Sequence, residues 1–312
     1  MNNKLTSNFK HEAVMLNEVL KVVDHMPPGI LIDATLGGAS HSEKILERRI
    51  DIELVAIDRD HLALEAARCR LERFSERVRF FHNSFSSLEK IFNDENISLV
   101  SGFLFDLGVS SPQLDNADRG FSYRFDGPLD MRMDVRQERT ASYLLNNSDK
   151  SELQRIIEKN SDERFAARIA ASIIRNRPIS STLEFAELVK NAIPAAARRR
   201  GGHPAKRTFQ AIRMEVNQER EELIQGVTAS IDRLRPKGCG IVISYHSGED
   251  RIVKELFRNV VTGGCACPNK LPCVCGAVPK GQLPHSGLTA SKEEIKENRR
   301  AKSARMRVLE RL

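Results

Sequence analysis

The sequence has no tryptophan, and it has no apolar run near the ~20 residues that a membrane span requires. Its longest apolar stretches, such as Leu99 to Leu107, are far shorter, and 29% of residues are charged, which excludes an integral membrane protein and predicts a soluble one. The opening MNNKLTSNFKHEAVML lacks an apolar signal core with a small-residue cleavage site, so a cytoplasmic protein is expected. Its cysteines should then be reduced thiols or metal ligands. Internal repeats and low-complexity segments are absent too. The G-x-G-x-x-G spacing of the dinucleotide fold does not occur after the first strand, which argues against a pyrophosphate-bearing cofactor.

What is present is enough apolar material, 40% of 312 residues, to build a sizeable core. The net charge is +7, and the surplus is clustered at Arg198-Arg199-Arg200, at Lys206-Arg207 and in an arginine-rich C-terminus. That distribution suits a polyanion such as nucleic acid, and on charge alone a solvated basic surface fits equally well.

Strand-like runs at residues 29–33, 54–58, 78–82 and 100–106 alternate with helix-like stretches, a rhythm that implies a parallel sheet covered by helices on both faces. Three of these runs end in Asp33, Asp58 and Asp106, which a parallel sheet gathers at the crevice beyond its carboxyl ends. Residues 110–134 are rich in Gly, Pro, Ser and Asp and mark a long functional loop. A helical region follows. Phe165, Ile169 and Ile173 share one face of it, while Arg164, Arg168 and Arg175 cluster within about 40° on another. Ser181 and Glu184 form a capping box for the next helix. The strand-like run 239–244 then leads into Tyr245-His246-Ser247. The expected organisation is an α/β core in two parts, residues 1–115 and 206–312, interrupted by a helical insertion over 116–205.

The stretch IDATLGGASHSEKIL, residues 32–46, joins the first strand to a helix through a small-residue turn. Asp58 lies 21 positions after Gly37, where an acid accepts hydrogen bonds from ribose hydroxyls. Asp33 would repel phosphates and suits a cationic group. S-adenosylmethionine, with an amino group, a sulfonium, a ribose and no phosphate, fits both. In FDLGVSSPQ, residues 105–113, Asp106 and the Ser110-Ser111-Pro112 backbone could accept hydrogen bonds from an exocyclic amine and stabilise the charge that develops on its nitrogen during methylation. This makes Asp106, Ser111 and Pro112 candidate catalytic residues. Capping of a helix, or orienting the cofactor, is the alternative for Asp106.

These segments, with "HEAVML" at 11–16, "AIDRD" at 56–60, "DLGVSSPQLDNADRGFSYRFDGPLDMRMD" at 106–134, "ERFAARIA" at 163–170, "RTFQAIRMEVNQE" at 207–219 and "ISYHSGEDRIVK" at 243–254, closely resemble the bacterial 16S ribosomal RNA cytosine N4-methyltransferases, the RsmH or MraW family. The resemblance implies a Rossmann-like S-adenosylmethionine-dependent methyltransferase core with a helical insertion domain. It also implies methyl transfer to the exocyclic N4 of a cytidine in the decoding region of 16S ribosomal RNA, the expected partner, within the small subunit. The family's cofactor loop reads G-x-G-G-H-S, so Ala39, Ser40 and His41 stand at its Gly-Gly-His positions. Asp58 matches the ribose-binding acid, Phe85 the residue near adenine, and Asp106 and Gln113 further cofactor contacts. Asp33 joins this cofactor-binding set. Ala39 and Ser40 each add a Cβ where the family has glycine, so the loop needs allowed backbone angles there or the cofactor shifts.

His246 follows the late strand, where a residue could contact the target base or move a proton; a hydrogen-bonded structural histidine is the alternative. Cys265, Cys267, Cys273 and Cys275 form C-x-C-x5-C-x-C. Four thiols so close can make a zinc knuckle, although the usual pairs are spaced by two to four residues, and a thiol-rich loop without metal fits the same pattern. No metal ligand is assigned from sequence. Arg164, Arg168, Arg198, Arg199, Arg200, Lys206 and Arg207 are the candidate phosphate contacts, with the insertion forming one wall of the RNA site. A methyltransferase of DNA or of a small molecule, and a non-catalytic RNA-binding protein, are the other classes these features allow.

Overall fold

The computed structural model describes residues 13–199, 202–268 and 274–312; His11, Glu12, Arg200 and Cys273 lie outside the described residues. The chain forms two compact units, one running to Gly108 and resuming at Glu221, the other Val109–Arg220. No helix among the described residues is long and apolar enough to cross a membrane.

In the first unit five strands run parallel: β1 (Gly29–Asp33), β2 (Ile52–Asp58), β3 (Val78–His82), β4 (Val100–Asp106) and β5 (Leu234–Ser244). Two short strands, β6 (Gly281–Gln282) and β7 (Leu288–Thr289), each pair antiparallel with β8 (Arg305–Arg311), which itself runs antiparallel to β5. The order is β3-β2-β1-β4-β5-β8-β6, with β7 also on β8. Strands β1 and β4, most of β2 and the later half of β5 read as nearly continuous apolar runs because both faces of the sheet are covered there. Leu31, Leu54, Ala56, Leu104, Ile241 and Ile243 belong to one buried cluster, and the alternate positions Ile32, Val55, Ile57, Phe103, Phe105 and Val242 to another. Successive strands run outward in opposite directions from β1 and β4. That reversal opens a crevice beyond their carboxyl ends, the place where open α/β sheets bind ligands.

Helices α1 (Leu16–Val23), α2 (Ser40–Arg48), α3 (His61–Arg70) and α4 (Leu88–Asp94) belong to this unit. The second unit is helical: α5 (Ser111–Asp115), α6 (Ala141–Asn147), α7 (Lys150–Asn160), α8 (Ala166–Arg175), α9 (Thr182–Ala192), α10 (Ala195–Arg198) and α11 (Lys206–Val216). Its own core includes Leu153, Ile157, Ile169, Ile173, Phe185, Phe209 and Ile212. The Ser181 hydroxyl accepts the Glu184 N–H at 3.4 Å and starts α9. Glu184 departs from the expected capping box, because its carboxylate takes the Ser180 N–H and hydroxyl, each at 2.8 Å.

The units divide after Gly108 and after Arg220, where the sequence pattern suggested 115 and 205. Phe209, Ile212 and Val216 do share a helical face, yet that face meets the second unit's core, whereas Leu223 on α12 (Glu219–Asp232) meets the first unit's. Helical spacing reveals an apolar face without naming the core it joins. The longest helix of the first unit, α13 (Ser247–Thr262), follows β5, and α14 (Lys292–Glu297) precedes β8.

Candidate active site

Register brings the three strand-end carboxylates together. Strand β1 lies between β2 and β4, and Asp33 is paired with Ala56 and Leu104, each two residues before Asp58 and Asp106 on the same face of its strand. Asp33 is buried and accepts the Thr35 N–H at 3.2 Å and the Ser42 hydroxyl at 2.5 Å. Burial raises its pKa above the usual carboxylate range, partly offset by the Ser42 hydrogen bond and the neighbouring His41. His41 is also buried, and its Nε2 donates to the Val14 carbonyl at 2.9 Å. Burial lowers the imidazole pKa, so the ring is held neutral. Its Nδ1 stands 3.8 Å from Asp106 Oδ2, beyond hydrogen-bond range.

Asp106 is fixed from two sides. Its N–H donates to Thr35 Oγ1 at 2.6 Å, and the Tyr245 hydroxyl donates to its Oδ1 at 2.7 Å. Burial, and after it the Asp106 charge, push the Tyr245 pKa well above its ordinary value, so the phenol remains a donor. Sequence reasoning passed over both Thr35 and Tyr245. Tyr245 lies two residues past Ile243, the register partner of Asp106, and that pairing is visible only once β4 and β5 are aligned.

Asp58 closes the loop after β1. Its Oδ2 accepts the Gly37 N–H at 2.7 Å and its Oδ1 the Asp60 N–H at 2.8 Å. Burial pushes its pKa up to about 6, against the two backbone hydrogen bonds. Gly37 has φ +49, and a Cβ there would find nothing nearer than the Thr35 carbonyl oxygen at 3.8 Å, so the loop offers an open backbone surface. Ala39 has φ 58, in the left-handed region that favours glycine, at a cost of about 1 kcal/mol. Its methyl is fully buried in the core cluster that contains Leu36 and Ile45, which returns a comparable amount. The added Cβ therefore faces the protein interior. Ser40 opens α2, and its hydroxyl is hydrogen-bonded by Arg70, whose Nη1 also reaches the Gly38 carbonyl at 2.6 Å.

Phe85 packs edge-on against Phe105, with ring centroids 5.5 Å apart, and carries the Arg59 guanidinium 5.1 Å above its ring. Glu222 accepts the Ser86 N–H at 2.9 Å and lies 3.4 Å from Arg59, so the residues around Phe85 are fixed by charge as well as packing. His246 caps α13: its Nδ1 accepts the Glu249 N–H at 3.3 Å, and its Nε2 is 3.1 Å from Glu249 Oε1. Both ring nitrogens thus face Glu249.

The other candidates lie on the second unit. Ser111 and Pro112 open α5, and Gln113, which is buried, completes a capping box in which its Oε1 accepts the Ser110 N–H at 3.0 Å. The Ser110 and Pro112 carbonyls accept the N–H groups of Leu114 and Asn116 at 3.3 and 3.1 Å, so these acceptors are used within the helix. On α8, Ile169 and Ile173 are buried, while Arg168 and Arg175 are exposed. Arg164 lies in the turn before the helix and is exposed; Arg199, Lys206 and Arg207 are exposed, and Arg198 is partly so. Arg207 Nη1 donates to the Asp162 carbonyl at 3.1 Å, which places the start of α11 beside the turn before α8.

A strand-end set of carboxylates with an open glycine loop can accept hydrogen bonds from hydroxyl and ammonium groups, and it would repel a diphosphate. These acceptors therefore fit S-adenosylmethionine, which carries ribose hydroxyls, an ammonium and a sulfonium and no phosphate.

A family model described as the MraW methylase family matches residues 8–312. The chain is similar to "Ribosomal RNA small subunit methyltransferase H" of Lachnospira eligens, 45% identical over 310 residues that cover 97% of this chain and 98% of that one. The protein of the same name from Halothermothrix orenii is 46% identical over 310 residues, covering 97% and 99%. Among solved structures, an rRNA methylase from Streptococcus thermophilus aligns over 96% of this chain and 98% of that one with a TM-score of 0.44 and 9% identity, too slight a likeness to bear on function.

Proposed function

This chain belongs to the MraW methylase family and is an S-adenosylmethionine-dependent methyltransferase of small-subunit ribosomal RNA; on that premise we propose that its target is the exocyclic N4 of a cytidine in the decoding region, presented within the small subunit. The observation that carries the chemistry is the Asp106 carboxylate, held by the Tyr245 hydroxyl at the end of β4. When bound, S-adenosylmethionine supplies an electrophilic methyl group on its sulfonium. Asp58 would accept the ribose hydroxyls, and the Thr35–Ala39 backbone would help to hold the cofactor. Asp106 accepts a hydrogen bond from the substrate amine, which turns the nitrogen lone pair out of conjugation and stabilises the positive charge that grows on it. Tyr245 fixes the rotamer of that carboxylate and, being neutral, adds no competing charge. The alkylated nitrogen is strongly acidic and releases its proton to water. His41, whose pKa burial lowers, would add no second positive charge beside Asp33.

The amine must leave a base pair or start in a non-helical region before it can approach, so the RNA is held by its backbone. Arg164, Arg168, Arg175, Lys206 and Arg207 of the second unit are the phosphate contacts in this reading. RNA affinity should then fall steeply with salt, and the double variant Arg168→Glu/Arg175→Glu should lower the slope of log K against log salt by about 1.4, or ~0.7 for each single-strand phosphate contact. An unchanged slope in filter binding would remove α8 from the interface.

The raised pKa of Asp58 sets a pH dependence. Ribose hydroxyls would donate to the ionised carboxylate, which predominates above about 6 and is lost as pH falls through that value. S-adenosylmethionine affinity is expected to be flat above neutrality and to weaken toward tenfold per pH unit in the acid range. Calorimetric titration at several pH values checks this, and a Kd constant down to about pH 5 would contradict it. For the unliganded protein the sign is opposite: the folded state binds the proton more tightly, so stability declines as pH rises from ~4, the unfolded pKa, through about 6. Mass spectrometry of small-subunit RNA tests the assignment as a whole. N4-methylated cytidine should be present in cells carrying the gene and absent from cells without it; an unchanged modification profile refutes the proposal.

A further inference from the structure

A second cluster of chemically active side chains lies beyond α13. The Sγ atoms of Cys265, Cys267 and Cys275 are all within 4.8 Å of one another. The chain leaves the helix through Gly263 and Gly264, at φ 61 and 77, and returns so closely that a Cβ on Gly263 would stand 2.3 Å from the Val278 carbonyl oxygen. The Lys280 N–H then donates to the Val260 carbonyl at 2.9 Å, the Leu312 N–H donates to the Lys280 carbonyl at 3.1 Å, and β6 follows. The two ends of the loop are thus fastened to α13 and to the edge of the sheet.

Among the described residues between those ends there is no hydrophobic core. None of the described residues in 263–280 is buried, and Val274 and Val278 are 89% and 69% exposed. Burial of apolar surface cannot be what gathers three thiols from two sides of such a loop, and short segments without a core are commonly held by a metal instead. In a tetrahedral site with Zn–S bonds of about 2.3 Å, the sulfurs sit about 3.8 Å apart, so the three thiols need only a small inward movement. Soft thiolates select zinc over magnesium or calcium.

We infer that Cys265, Cys267 and Cys275 bind one Zn²⁺ ion as thiolates, three of the four donors of a tetrahedral site that pins the loop between α13 and β6. Each thiol that binds gives its proton to solvent, so loading releases acid and weakens as pH falls. Cys273 lies outside the described residues, and the inference does not depend on it.

The full chain, purified without chelator or a polyhistidine tag, is expected to retain about one zinc per chain through gel filtration, read by plasma mass spectrometry. Cys267→Ser should lose most of that zinc while keeping the far-ultraviolet circular dichroism of the wild type, and Cys69→Ser, an exposed thiol on α3, should lose none. Cobalt in place of zinc should give the intense visible bands of tetrahedral thiolate coordination. A measurement on the wild type alone guards against a variant that fails to fold: zinc should slow the reaction of these thiols with a disulfide reagent, and a chelator should restore it. Zinc below about a tenth of an equivalent, full retention by folded Cys267→Ser, or thiol reactivity indifferent to zinc would each overturn the inference.

Discussion

Asp106→Asn is expected to lower methyl transfer at saturating cofactor by about 10²–10³-fold while changing the Kd for S-adenosylmethionine only a few-fold. Asparagine keeps the shape of the side chain and one acceptor oxygen. It loses the charge that offsets the growing positive charge on the nitrogen, and its amide must compete for the Tyr245 hydroxyl, which donates to Asp106 at 2.7 Å. Tyr245→Phe should cost less, about tenfold, because the carboxylate remains and only its rotamer is freed. Single-turnover transfer beside calorimetric cofactor binding separates the two effects. If the Kd rises by as much as the rate falls and saturation restores the rate, Asp106 is a cofactor contact and does not stabilise the reacting amine.

The second large effect belongs to Asp58. Its carboxylate accepts the Gly37 and Asp60 N–H groups at 2.7 and 2.8 Å, and in the account above it also accepts the ribose hydroxyls. A charge-assisted hydrogen bond contributes roughly 1.5–3 kcal/mol, so Asp58→Ala should weaken S-adenosylmethionine binding by about 100-fold, with further loss as the Gly37 loop is released. The cofactor's stabilisation of the fold in a thermal scan should vanish with it. Asp58→Asn, which keeps one acceptor, should lie between the two. A Kd for Asp58→Ala within threefold of wild type would place the ribose elsewhere.

The gathering of three acids at one end of the sheet was readable from sequence because the acids end strands, and parallel strands bring their carboxyl ends together whatever the details of packing. Asp33, Asp58 and Asp106 occupy those ends. Tyr245 was hidden for a physical reason: it reaches Asp106 across a pair of strands separated by 139 positions, and only the β4–β5 register makes them neighbours. From sequence, the Ala39-Ser40 pair required either allowed backbone angles in the loop or a shifted cofactor. In the fold, Ala39 takes the glycine-like backbone and buries its methyl, and Ser40 turns to Arg70, so the first alternative holds at the cost of local strain. His246 illustrates the reverse case. A histidine after a strand suggests chemistry, and here its ring caps the helix that begins at the next residue. The second boundary between the units falls after Arg220, where the sequence suggested 205, because the apolar stripe of α11 has the right period for either core.

Transfer of a labelled methyl group in vitro tests the central claim most directly. Small ribosomal subunits from cells lacking the gene, incubated with the protein and labelled S-adenosylmethionine, should acquire label that nucleoside analysis finds solely as N4-methylated cytidine of the 16S RNA, and Asp106→Asn should slow its incorporation by about 10²–10³-fold. Label in duplex DNA, label at a carbon of the base, or no transfer from a protein that binds the cofactor would contradict the account.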